Sequence, residues 1–126
     1  VSAMNGIVAQ RLIRKLCNDC AVEHKPDADL LAASGLTRER AQGFTFRAGL
    51  GCGRCRGTGF RGRRAIAEIL VLNDELRELI LRGEPVRLLR EAAARGGTRF
   101  LREAALDCVR RGETTLQEIN RVTLVG

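Results

Sequence analysis

Cys17-Asn18-Asp19-Cys20 and, further along, Gly51-Cys52-Gly53-Arg54-Cys55-Arg56-Gly57-Thr58-Gly59 are the two stretches on which the architecture turns. Together they read C-x2-C-x31-C-x2-C. Zinc favours four tetrahedral ligands, and a C-x-x-C turn offers two thiolates from one loop, so two such turns complete the shell. A full shell leaves no open position for water, so the pattern points to a structural metal held by Cys17, Cys20, Cys52 and Cys55. The insertion between the pairs is longer than in the tightest zinc ribbons, but loop-closure entropy grows only slowly with length. Taken alone, the residues also admit two buried thiol pairs, or a redox C-x-x-C. A redox pair draws its low thiol pKa from a helix N-terminus in a βαβ setting, and neither pair has that setting.

Four thiolates around a divalent ion leave a formal charge of about −2. Arg54, Arg56, Arg61, Arg63 and Arg64 lie close by in sequence and are expected to offset it. His24, the one histidine, follows Cys20 by four positions; with the shell already full it is expected to be an exposed loop residue. Cys108, the fifth cysteine, shares a helical pattern with Leu101, Ala105 and Val109 and is expected to be a small core residue.

Working outward, Ile7, Val8, Leu12, Ile13 and Leu16 recur at helical spacing, so a helix is expected to lead into the first cysteine pair. Asp29 to Ser34, stopped by Gly35, and Arg38 to Gln42, capped by Thr37, form two short helices in the insertion. Thr45 to Ala48 suits a short strand, residues 49–63 a glycine-rich knuckle, and Ala65 to Leu72 a strand or buried extended segment. Helices then follow from Asn73 or Asp74 to Arg82, from Pro85 to Arg95, and from Thr98 to Arg111. A last one opens with the capping box Thr115-x-x-Glu118 and buries Leu116, Ile119 and Val122. The expected fold class is an α-rich α+β domain, a four-cysteine zinc knuckle followed by a compact helical subdomain.

The chain has 126 residues and a net charge of +7, with only two lysines among its 22 basic residues. That balance admits an acidic partner, whether nucleic acid, anionic lipid or acidic protein, although 15 interspersed acidic residues make much of the surface charge-mixed. Four phenylalanines with no Trp or Tyr provide no aromatic interleaving for base stacking, so nucleic acid is not the expected partner. Paired C-x-x-C turns fit a reducing compartment. No apolar run is long enough to span a bilayer, and residues 1–16 do not resemble a signal peptide. The first residue is not methionine and helical periodicity begins at once, which suggests a piece of a longer polypeptide. Neither H-E-x-x-H nor G-x4-G-K-[ST] occurs, so no catalytic residue is expected in this chain.

Four pieces, in order, resemble the C-terminal part of type II secretion and type IV pilus assembly ATPases: GIVAQRLIRKLC from Gly6, the paired cysteines, GFRGRRAIAEIL from Gly59, and RRGETTLQEINRVT from Arg110. Nearly the whole chain is covered. Ala67 departs from the aromatic or histidine residues common in the family. The resemblance implies that residues 1–16 are a helix ending an ATPase core, residues 17–64 a tetracysteine zinc subdomain and residues 65–126 a C-terminal helical subdomain. It implies ATP and Mg2+ in an upstream core, with Arg11 at most bordering the nucleotide, and no catalysis in this part. Partners would be that core, neighbouring subunits of a hexamer, inner-membrane platform proteins and acidic phospholipid, at a cytoplasmic location peripheral to the inner membrane. The string CGRCRGTG also resembles the C-x-x-C-x-G-x-G repeat of J-domain co-chaperones, but that family needs four copies and CNDCAVEH lacks the glycines. A zinc-ribbon nucleic-acid module is the other alternative.

Overall fold

The computed structural model describes residues 6–123. Two long strands, β1 (Gly6–Leu16) and β4 (Phe60–Val71), pair antiparallel from Gly6↔Val71 to Leu16↔Phe60. The whole cysteine-bearing insertion lies between them. Within it a smaller ribbon pairs β2 (Ala21–Glu23) with β3 (Arg47–Gly49), and α1 (Ala28–Ala33) and α2 (Arg38–Ala41) connect the two. After β4 come α3 (Asp74–Leu81), α4 (Val86–Arg95), α5 (Leu101–Arg110) and α6 (Leu116–Thr123). The described residues thus form a mixed α+β arrangement of six helices and two two-stranded sheets.

The expected helix over Ile7 to Leu16 is a strand. Its apolar residues fit a 3.6 period, but they divide between two sheet faces instead of sharing one helix face. Val8 and Leu12 point to one face and are more than half exposed, whereas Ile13, on the other, is 1% exposed. A register shift between Arg14 and Leu16 then turns Leu16 inward as well. The deciding factor lies far away in sequence: β4 supplies the backbone partners, and tertiary pairing overrides local periodicity. The strand expected over Ala65 to Leu72 starts earlier, at Phe60, and ends at Val71.

The covered face of the long ribbon packs on α5 and α6. Ile13, Ile66, Ala105, Cys108, Val109, Leu116 and Ile119 form this core, and Leu36 joins it from the insertion. A second cluster of Leu72, Leu76, Ala92 and Ala93 unites the end of β4 with α3 and α4. Both short insertion helices are capped: Thr37, the expected cap of α2, accepts from Arg40 N at 3.1 Å, and Asp27, a cap not expected, accepts from Leu30 N at 2.7 Å at the start of α1. Asn73 caps α3 through Leu76 N at 2.9 Å. The helix expected from Thr98 begins instead at Leu101, because Glu68 of β4 reaches across to accept from Leu101 N at 3.0 Å.

The capping box at α6 is only half made. Thr115 Oγ1 accepts from Glu118 N at 3.1 Å. The Glu118 carboxylate does not return to the Thr115 amide; it accepts from Arg14 N at 2.8 Å, from the Arg14 guanidinium at 2.9 and 3.0 Å, and from Arg121 at 2.8 and 3.2 Å. A charge-assisted cluster of this kind is stronger than the single neutral bond a box would give. Arg14 in turn lies 4.3 Å above the Phe60 ring, so one carboxylate ties α6 to both strands of the ribbon.

Candidate metal centre

Two tight turns at the base of the long ribbon carry the cysteines. In the first, Cys20 N and Ala21 N donate to Cys17 O at 3.4 and 3.0 Å, while Cys17 N donates to Gly59 O at 2.9 Å. In the second, Gly57 N donates to Cys52 O at 2.9 Å and Thr58 N to Cys55 O at 3.2 Å. The chain closes this turn through consecutive left-handed residues, Arg56 (φ 57°) and Gly57 (φ 78°). Gly49 and Gly59 bring the two turns together: a Cβ on Gly49 would stand 2.3 Å from Gly59 O, and one on Gly59 2.8 Å from Gly49 O. Only glycine permits that approach.

The four sulfurs lie within 4.8 Å of one another. Cys17 to Cys52 is 3.7 Å, Cys20 to Cys55 is 3.8 Å, and Cys52 to Cys55 is 3.7 Å. Disulfides need about 2.05 Å, so these are free thiols. Four sulfurs each about 2.3 Å from a tetrahedral ion would be separated by about 3.8 Å. The cluster therefore has the donor type and the spacing that a tetrathiolate metal requires. Cys17 and Cys55 are buried, Cys20 and Cys52 half-buried.

Backbone amides surround the sulfurs. Gly51 N donates to Cys20 Sγ at 3.3 Å, and Cys52 N and Gly59 N both donate to Cys55 Sγ at 3.2 Å. Burial opposes ionisation of Cys55, but these two amides together with the neighbouring thiols outweigh it and hold its pKa down to about 6. Cys20 is pushed up to about 11 by burial and the adjacent thiols, against the single Gly51 amide. Three of the five arginines expected to offset the thiolate charge pair with carboxylates. Arg54 and Arg61 lie 3.5 and 3.8 Å from Asp19, and Arg64 pairs with Glu113. Carboxylates within reach take the guanidinium groups, and the amides serve the thiols.

The other singled-out residues stand apart from the cluster. His24 is exposed, and its backbone N donates to Phe46 O at 3.0 Å. Cys108 is 1% exposed in the helical core, where burial pushes its thiol up. Arg11 is an exposed strand residue whose guanidinium meets Gln10 O at 2.8 Å. The amide donors and the Gly49–Gly59 approach were not read from sequence, although the glycines flanking the second pair mark where both occur. Among the described residues no helix is long and apolar enough to cross a membrane.

The family model described as "Type II/IV secretion system protein" matches residues 1–121. Among curated relatives, the chain is 43% identical over 118 residues to "Type IV pilus assembly ATPase PilB" of Thermus thermophilus, covering 94% of this chain and 13% of that protein. It is 39% identical over 122 residues to "Type II secretion system protein HxcR" of Pseudomonas aeruginosa, covering 97% and 22%. With "Type II secretion system ATPase E" of Vibrio cholerae the identity is 37% over 122 residues, covering 97% and 24%. The chain thus spans less than a quarter of the length of each of these relatives.

Proposed function

Because this chain belongs to the type II/IV secretion system protein family, we propose that it is the zinc-binding C-terminal part of a secretion or pilus-assembly motor ATPase, with a structural and coupling role. Cys17, Cys20, Cys52 and Cys55 would hold the zinc, and with four thiolates filling its shell the ion supplies stability, not catalysis. ATP hydrolysis, with Mg2+, belongs to an upstream core, since this chain has no glycine loop and lysine to cradle a triphosphate. Residues 1–16 would join that core, residues 17–64 form the metal unit, and residues 65–126 the helical unit. The expected setting is a cytoplasmic hexamer, peripheral at the inner membrane beside platform proteins and acidic phospholipid, with Arg11 at most bordering the nucleotide.

The observation that carries the metal reading is the set of sulfur separations, 3.7 and 3.8 Å, in a cluster fed by backbone amides. Coupling to a core draws support from the uncovered face of the long ribbon, where Val8, Leu12, Ile69 and Val71 are each more than half exposed. The test is metal analysis of the purified chain beside two variants. One zinc per chain is expected, lost in Cys52→Ser and kept in Cys108→Ser. Apparent zinc binding energies in small domains are on the order of 10 kcal/mol, so Cys52→Ser should unfold the knuckle, whereas a hydroxyl in place of the Cys108 thiol costs about 1–3 kcal/mol. A zinc-free chain, or equal damage from the two changes, would refute the ligand set.

A further inference from the structure

The insertion between the cysteine pairs encloses a cleft of about 640 Å³ to which the metal reading gives no role. One wall runs from Glu23, the last residue of β2, through Pro26 to Ala28 and Leu31 of α1; the other comprises α2 and the segment leading into β3. Its apolar lining includes Phe44 and Phe46, half-buried, with ring centroids 5.4 Å apart and planes tilted by 30°. Lys25 and Arg38 also line it, and among the described residues neither has a carboxylate partner. Glu23 is the one acidic residue in the lining. The remaining carboxylates of the insertion lie outside: Asp27 is engaged in capping α1, and Asp29 and Glu39 are exposed on α1 and α2.

We propose that this cleft docks a peptide segment of another protein, one that presents an aromatic or aliphatic side chain beside a carboxylate. The phenylalanine pair receives the apolar side chain, since offset aromatic faces add attraction beyond the area they bury. Arg38 and Lys25 receive the carboxylate; a guanidinium fork binds one in bidentate fashion, and neither cation is ion-paired among the described residues. The charge complementarity is local. Asp27, Asp29 and Glu39 are exposed in the same insertion, so an anionic bilayer laid over it gains roughly 1 kcal/mol per cation less the repulsion of each carboxylate it reaches. A peptide carries its carboxylate into the cleft and avoids them. The site also sits on the structure that joins the two cysteine pairs, because Glu23 follows Cys20 by three residues and His24 N is bonded to Phe46 O. A peptide spanning both walls therefore braces the β2–β3 ribbon.

The test uses the 15N-labelled, zinc-loaded 126-residue chain near physiological salt, with three probes: acetyl-Asp-Phe-Glu-Leu-Asp-amide, its charge-reversed counterpart acetyl-Lys-Phe-Lys-Leu-Lys-amide, and phosphatidylglycerol vesicles. The acidic peptide should give saturable amide shifts confined to residues 23–31 and 38–46 and bind at least tenfold tighter than the basic one. Arg38→Glu should weaken it at least tenfold while keeping the fold, because a carboxylate suits the first turn of α2. Ala41→Trp, which fills the cleft, should abolish the shifts. Equal binding of the two peptides, or no saturable shift in a folded chain, overturns the proposal. So does vesicle binding through the same amides, or their concentration-dependent shift without peptide, which would make a second copy the occupant. Zinc content measured on the same sample separates this from the metal reading: a loaded chain that ignores the peptide removes the docking site alone.

Discussion

Glu118 keeps its charge where its side chain is fully buried, and five bonds to Arg14 and Arg121 explain how. Burial alone would raise its pKa; the Arg121 and Arg14 hydrogen bonds hold it down to about 2, from an ordinary value of 4.5. A group with a depressed folded pKa binds fewer protons folded than unfolded, so its contribution is complete above pH 4.5 and disappears as pH falls toward 2. Denaturant unfolding should show a loss on the order of 2 kcal/mol across that window, discounted because both guanidinium partners are about half-exposed. Glu118→Gln should cost a similar amount at neutral pH and lack this acid step; an unchanged acid profile in the variant would mean the cluster contributes nothing. At this scale the gathering of the four cysteines is legible because each C-x-x-C spacing is local. The role of Glu118 was not, since Arg14 lies 104 residues away and the Thr115-x-x-Glu118 spacing suggested a nearer partner.

Among the elements, β1 shows why strand and helix are confused. Ile7, Val8, Leu12, Ile13 and Leu16 satisfy a helical period, and nothing within the segment reveals that residues 60–71 will pair with it. Helices α2 and α3 are legible because Thr37 and Asn73 mark their starts, and α1 because Gly35 marks its end. Two tests belong here. Gly49→Ala places a methyl group 2.3 Å from Gly59 O, so β3 and the second cysteine turn must separate. A cost of about 3 kcal/mol or more is expected from the clash, with weaker zinc retention, because Gly59 also donates to Cys55 Sγ. Chelator competition would read the second effect, and unchanged zinc affinity would show that the turns are independent. Leu12, 55% exposed on the uncovered ribbon face, gives the opposite expectation. Leu12→Asp should alter the stability of this chain by no more than about 0.5 kcal/mol, yet, on the coupling role proposed above, lower ATP turnover in a motor ATPase that carries this chain. Unchanged turnover there would remove the ribbon face from the coupling route.

Over the described residues, much of the positive charge is met by carboxylates: Arg14 and Arg121 pair with Glu118, Arg64 with Glu113 and Arg95 with Glu75. Phe60 and Phe100 lie under Arg14 and Arg90, and Phe44 and Phe46 pack against the helical core while walling the cleft, so the phenylalanines form no stacking row. The ribbon has a further consequence, which concerns time. Leu16 pairs with Phe60, so residues 17–59 are topologically one hairpin loop. Closing a loop of about forty residues costs roughly 3 kcal/mol before the ladder gains anything, which makes the ribbon a late event in an unaided chain. Cys17 adjoins Leu16, and Cys55 lies five residues before Phe60. An ion that has collected these thiolates has already delivered the strand ends to each other. Stopped-flow refolding of the chain should therefore be at least tenfold faster with stoichiometric zinc than with chelator; equal rates would mean that the strands find each other first and the thiolates gather afterwards.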